Sequence, residues 1–295
     1  MSRFSIAGLQ LELSGQDNLY VIQKEIEAVK TSFPWVDMVV LSELSTFGPS
    51  PSRAQPSGGE AEQFYCGIAE KHNIWLIPGS IHESIGDKVY NMAPVINPRG
   101  EVVERYRKIF PFYPYEKGIT AGDQFVVFDI PDVGRFGVSI CYDQWFPEIT
   151  RTLTWMGAEV ILCPTMTGTI DRDLELSISR TNAAIGQCYF FNINVAGNLG
   201  NGRSIVVGPD GAVIHQAQTG REVIPIEIDL DLVRRVRKRG SLGLGQVVKS
   251  FRDNTVKFPP YRENHDESIG FAELGTLSMP GSATKEVGAG QSNLD

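Results

Sequence analysis

The chain has 295 residues, 27 Lys and Arg against 35 Asp and Glu, and a formal net charge of −8. That balance speaks against nucleic acid or anionic membrane as a partner, since both require a positive surface. With 42% hydrophobic and 21% charged residues the composition suits a globular chain with a substantial core. No apolar run approaches the roughly 18 residues of a membrane span, and the first ten residues alternate like a strand rather than forming a secretory signal. Cytoplasmic residence is expected.

Strand-like and helix-like segments alternate from residue 3 to about 240. Phe4 to Leu11 reads as a first strand. Leu19, Ile22, Ile26, Val29 and Phe33 recur at spacings of 3, 4, 3 and 4, which predicts an amphipathic helix capped at Asp17 or Asn18. Met38 to Leu41 is a short apolar strand, and residues 60–72 a helix with Phe64 and Ile68 inward. Ile74 to Ile81, Val89 to Ile96 and Val102 to Arg107 follow as strands, the last two joined by the turn Asn97-Pro98-Arg99-Gly100. Phe125 to Ile130 and Phe136 to Ile140 form a pair, and Pro147 suits the first position of a helix. Val160 to Cys163 is a buried strand, 172–186 a helix and Tyr189 to Val195 a strand. Ile205–Val207 and Val213–His215 flank a hairpin turn at Pro209-Asp210-Gly211. A short helix follows, with Asp229 and Asp231 at its start and the basic run Arg234, Arg235, Arg237, Lys238, Arg239 at its end. That order complements the helix dipole and describes a solvated or subunit-contacting helix end. Strands joined both by helices and by short turns predict mixed sheets covered by helices.

The cysteines are Cys66, Cys141, Cys163 and Cys188. No CxxC pair and no zinc-finger spacing is present, so a structural metal site has weak support, and a disulfide framework does not suit so large a chain without export signals. Three of the four read as core thiols. Cys141 differs. Glu43, Lys108 and Cys141 each lie just past the end of a predicted strand, where α/β folds gather their ligand-binding groups. Neighbouring backbone N–H groups and Lys108 would favour the Cys141 thiolate. Glu43 would take and return its proton, and Lys108 with the Tyr142 N–H would hold an oxyanion. Together they supply a base, an electrophilic stabiliser and a nucleophile for acyl transfer.

Leu41-Ser42-Glu43-Leu44, Tyr106-Arg107-Lys108-Ile109 and Ile140-Cys141-Tyr142-Asp143-Gln144-Trp145-Phe146-Pro147-Glu148 resemble the three catalytic segments of the nitrilase, or carbon–nitrogen hydrolase, superfamily. The resemblance runs from residue 4 to about 240. It implies a four-layer α-β-β-α sandwich with two mixed β-sheets, a Glu43–Lys108–Cys141 triad, no metal or organic cofactor, and a homodimer or larger assembly. Phe110-Pro111-Phe112-Tyr113-Pro114-Tyr115-Glu116 resembles the amidase segment that carries a further substrate-contacting acid, which makes Glu116 a fourth catalytic candidate. Tyr113 and Trp145 are candidates for lining the pocket, with a packed aromatic at each as the other reading, and Asp143 reads equally as a helix-start acid.

Within this resemblance, Cys141-Tyr142-Asp143 stands where nitrilases proper usually carry Cys-Trp-Glu, which implies amide hydrolysis before nitrile hydrolysis. The expected reaction converts a small carboxamide to acid and ammonia; N-carbamoyl amine hydrolysis is the alternative. Three convergent segments spanning residues 43–141 argue for one domain over 1–263, with 264–295 a tail that is flexible or packed on a partner subunit. Rival readings are a Cys–His hydrolase, for which only His82 among the histidines follows a strand in a position comparable to Glu43, Lys108 and Cys141, and a catalytically silent scaffold of the same fold. Nucleotide-binding GxGxxG or GxxxxGK[ST] and hydrolase GxSxG patterns do not occur.

Overall fold

A computed structural model describes residues 2–261, 271 and 277–280. They fall into two compact units: one takes the described residues up to Pro111 together with Gly118–Asn254, the other Phe112–Lys117 and the described residues from Thr255 onward. The expected tail at 264–295 falls almost entirely outside the described residues, and so does His265.

The first unit is built on two sheets. In one, β1 (Arg3–Gln10) runs parallel to β2 (Met38–Val40), and β2 parallel to β3 (Trp75–Ile77). Antiparallel to β3 lies β5 (Lys88–Ile96), which also pairs with β4 (Ile81–Ile85) and β6 (Val102–Arg107). The opposite edge is β13 (Glu222–Asp229), antiparallel to β1. In the second sheet, β7 (Val127–Ile130), β8 (Gly134–Val138), β9 (Val160–Thr165), β10 (Tyr189–Asn194), β11 (Ile205–Val207) and β12 (Val213–Gln216) lie side by side in chain order. The β8–β9 and β9–β10 pairs are parallel and the others antiparallel. Both sheets are mixed, as expected.

Strand periodicity explains the layering. Phe4 and Ile6 of β1 and Met38 and Val40 of β2 meet Phe136, Val138, Val160, Leu162, Phe191 and Ile193 of the other sheet in one core. The alternate residues Ala7, Leu9 and Val39 face a second core with Ile22, Ile26 and Val29 of α1 (Leu19–Ser32) and Tyr65 and Ile68 of α2 (Glu60–His72). Ile161, Cys163 and Phe190 face a third, with Ile149 and Leu153 of α3 (Pro147–Trp155) and Leu176 and Ala183 of α4 (Arg172–Gly186). Central strands buried on both faces read as continuous apolar runs. Each such aliphatic side chain contributes about 1.5–3 kcal/mol on burial. The result is the α-β-β-α sandwich. Gly8 marks how closely the sheets approach, since a Cβ there would sit 2.4 Å from Ile193 Cδ1.

Several details depart from expectation. Pro78-Gly79-Ser80 breaks the run Ile74 to Ile81 into β3 and β4, because Pro lacks the donor that a continuing ladder needs. The fully buried aromatic of α2 is Tyr65, while Phe64 is partly buried. The strand β13 carries Pro225 and three acids, so its pattern is too polar to read as a strand alone; α6 (Val247–Asp253) is short and has no buried residue. The basic end of α5 (Leu230–Arg239) is only partly solvated: Arg234 pairs with Glu159, and Arg237 donates to the Ala158 and Gln187 carbonyls. Cys163 and Cys188 are core thiols as expected, but Cys66 is partly exposed, and all four cysteines are free. No helix among the described residues is long and apolar enough to cross a membrane.

Candidate active site

Glu43 follows β2, and its backbone N–H donates to Thr165 O at the end of β9, so the acid is tied across to the second sheet. The next residue, Leu44, takes a left-handed φ of 48°, and its N–H bonds Ser80 Oγ at 3.0 Å. Gly79 makes this turn possible: its φ is +75°, and a Cβ there would lie 1.7 Å from Ser42 O. Lys108 follows β6, and its Nζ donates to Glu43 Oε1 at 2.8 Å. Asn91 Nδ2 of β5 donates to the same oxygen at 2.8 Å. Glu43 is 4% exposed and Lys108 2%, so this is a buried ion pair with charge-assisted hydrogen bonds.

Cys141 opens a 3-10 turn, Cys141–Trp145, between β8 and α3. Its φ of 46° is left-handed, a strained conformation for a side chain with Cβ, and it is 8% exposed. Asp143, two residues on, fixes this turn. Its Oδ2 accepts from the Ile140 N–H at 2.9 Å and the Tyr106 hydroxyl at 2.7 Å, while Oδ1 accepts from the Phe110 N–H at 2.9 Å. Tyr106 and Phe110 flank Lys108 in the chain. One buried carboxylate therefore joins the lysine segment of the first sheet to the cysteine turn of the second. Phe110 and Phe146 add a parallel ring stack at 3.6 Å between centroids across the same seam.

Electrostatically, the surroundings of Cys141 favour the thiol over the thiolate that its position suggested. Burial pushes the thiol well up, Glu43 pushes it further, and Lys108 only partly offsets both. The correction follows from Lys108 being already engaged by Glu43, so the net charge facing sulfur is not positive. Burial also pushes the Asp143 carboxyl from 3.8 to about 6, opposed chiefly by the Tyr106 hydroxyl bond.

The structure thus brings Glu43 and Lys108 into contact, and both charges act on Cys141. Tyr142 and Trp145, both half-buried, share the cysteine turn; the Trp145 indole N–H lies 3.5 Å from Glu175 Oε1. Glu116 and Tyr113 lie in the second unit, where the Glu116 carboxylate accepts from the Phe112 N–H at 2.5 Å. His82 is buried within β4 rather than past a strand end, with Nδ1 3.3 Å from Ser50 O. Among the described residues no group of three or more His, Cys, Asp or Glu could hold a metal ion.

Sequence reasoning missed Asn91, Thr167, Arg172 and Glu175. Asn91 had a signal, a lone amide on an otherwise apolar strand. Arg172 and Glu175 had another, two opposite charges three apart on the face of α4 that also carries Leu176 and Ser179. Thr167 had none.

Residues 6–238 match the family model of carbon–nitrogen hydrolases. The chain is 30% identical over 264 residues to the omega-amidase NIT2 of Mus musculus, covering 81% of this chain and 93% of that protein. It is 28% identical over 191 residues to a formamidase of Helicobacter acinonychis, covering 62% of this chain and 57% of that protein. Among solved structures, Saccharomyces cerevisiae Nit3, of the nitrilase superfamily, superposes with a TM-score of 0.75 at 29% identity, covering 80% of this chain and 94% of that one. The chain belongs to the carbon–nitrogen hydrolase family of the nitrilase superfamily, on its amidase-like branch. It is accordingly a hydrolase of carbon–nitrogen bonds other than peptide bonds.

Proposed function

We propose that this protein is a cysteine-dependent amidohydrolase that converts a small carboxamide to a carboxylic acid and ammonia through a thioester on Cys141. The observation that carries this reading is the buried Lys108–Glu43 pair whose two charges both act on the Cys141 thiol. A thiol with a raised pKa must lose its proton as it attacks, and a carboxylate beside it is the group to take it. In the first half-reaction Sγ bonds to the amide carbonyl carbon and its proton passes to Glu43. Lys108 and the Tyr142 N–H stabilise the oxyanion. The carbon–nitrogen bond then breaks as Glu43 returns the proton to the departing ammonia. In the second, water gives a proton to Glu43 and its oxygen displaces sulfur, which regains that proton.

The relatives named omega-amidase and formamidase support an amide as the substrate. The same proposal takes the protein to be a cytoplasmic homodimer or larger homo-oligomer, which sedimentation would measure. The test of the chemistry is ammonia release from a panel of aliphatic amides, N-carbamoyl amines and nitriles, with CO2 followed in parallel. Cys141→Ala and Glu43→Gln should each lower turnover of the preferred amide by at least about 10³-fold. Wild-type-like turnover in either variant overturns the assignment, and CO2 released with the ammonia would move the substrate to the carbamoyl class.

A further inference from the structure

Behind the Cys141 turn lies a buried ion pair that the reaction above does not use. On α4, Arg172 is 1% exposed and Glu175 2%. Arg172 Nη1 donates to Glu175 Oε2 at 2.8 Å, while its Nη2 donates to Asn192 Oδ1 at 3.0 Å and Arg203 O at 2.8 Å. The other carboxylate oxygen, Oε1, accepts from the Thr167 hydroxyl at 3.0 Å. Thr167 is itself clamped: its N–H donates to Asn194 Oδ1, and its carbonyl accepts from Asn194 Nδ2. The Thr167 oxygen then stands 3.8 Å from Cys141 Sγ.

A threonine hydroxyl has one proton to donate, and a carboxylate paired with arginine can only accept. The proton in the Thr167–Glu175 bond must come from Thr167. Its oxygen is left with lone pairs toward sulfur, which suit an S–H and not a thiolate. Resting on the reading of Cys141 as nucleophile, we propose that Glu175 is a positioning residue: by holding the Thr167 proton, it makes Thr167 an acceptor for the Cys141 thiol and keeps sulfur protonated until Glu43 removes the proton. Arg172 anchors Glu175 in that role. The other charged groups acting on the thiol are Glu43 after β2 and Lys108 after β6. A neutral thiol does not compete with Glu43 for Lys108, so the base keeps its cation until substrate arrives.

The readout is the pH profile of Cys141 alkylation by iodoacetamide, followed by peptide mapping. Removing the Glu175 charge in Glu175→Gln should move the midpoint to lower pH by about one unit. Thr167→Val should also lower it, since only the thiol form loses a partner, and Thr167→Ser should restore the wild-type midpoint. Cys163 and Cys188, fully buried, should remain unlabelled in every variant, which separates the effect from a loosened core. A midpoint unmoved or raised in Thr167→Val means that the hydroxyl donates to sulfur, and overturns the proposal. Thr167→Val and Thr167→Ser carry the test if Glu175→Gln does not fold. Ammonia release that survives complete Cys141 alkylation would instead sink the nucleophile assignment and leave the thiol midpoints standing.

Discussion

Replacing Asp143 by Asn tests whether one buried carboxylate couples the two sheets at the site. The amide keeps a single acceptor oxygen, so either the Phe110 N–H or the Ile140 N–H comes to face a donor, at a cost of about 1–3 kcal/mol. The pH dependence is sharper than that number. Burial makes Asp143 harder to ionise in the fold, with its carboxyl raised from 3.8 to about 6. A raised acid contributes stability that is fully present below 3.8 and is lost as pH climbs through 6; two units at about 1.36 kcal/mol each give about 3 kcal/mol in all. Integrated over the range from about pH 4.5 to about pH 7, the change is about 2 kcal/mol. Asn does not titrate, so the stability of wild type over Asp143→Asn should shrink by that amount across this range. Urea unfolding of both proteins at a series of pH values measures it. A difference that stays flat, or widens toward neutral pH, would mean that the three donors outweigh burial, and the raised carboxyl would have to be abandoned.

Lys108→Met strands the buried Glu43 charge and should cost about 3–5 kcal/mol in urea unfolding. Combining it with Glu43→Gln should restore part of that loss, and strictly additive losses would argue against a direct pair. Gly79→Ala should destabilise far more than Gly86→Ala. Both glycines have positive φ, a cost of about 1–2 kcal/mol for Ala, but only Gly79 places a Cβ on Ser42 O, whereas Gly86 faces open space. Equal melting temperatures for the two variants would refute the steric account of the Glu43 turn.

The sandwich was legible in the sequence because its strands are buried on both faces, so Met38–Leu41 and Val160–Cys163 announce themselves as unbroken apolar runs and Tyr189–Val195 as a run interrupted only by Asn192 and Asn194. What stayed hidden was polar or short: β13 with Pro225 and its acids, α6, and the break at Pro78 that turns one run into two strands. Glu43, Lys108 and Cys141 were visible for a different reason. Each terminates a strand, and strand ends can be found from local pattern without knowing which strands are neighbours. Their protonation could not be found that way. The thiolate expected of Cys141 depended on Lys108 being available, and availability is set by Glu43 and Asn91, which reach Lys108 or its partner only after three separate strands have been ordered in one sheet.

Asp143 shows why the connection between such segments escapes one-dimensional reading. Locally it is an acid near a helix start, and a stabilising interaction with the first turn would account for it. Its partners Tyr106 and Phe110 lie more than thirty positions away and bracket Lys108. A helix-start role would require neither of them. Because both bonds go to one carboxylate, moving Cys141 relative to Lys108 breaks two buried hydrogen bonds at once, and the sheet-to-sheet packing of Phe110 on Phe146 resists the same displacement. The relative placement of Cys141 and Lys108 is thus set by a residue that bonds to neither charge of the Lys108–Glu43 pair. It follows that substitutions at Asp143 should lower turnover through the placement of Cys141 against Lys108, whereas substitutions at Glu175 or Thr167 should act on the Cys141 thiol without disturbing that placement.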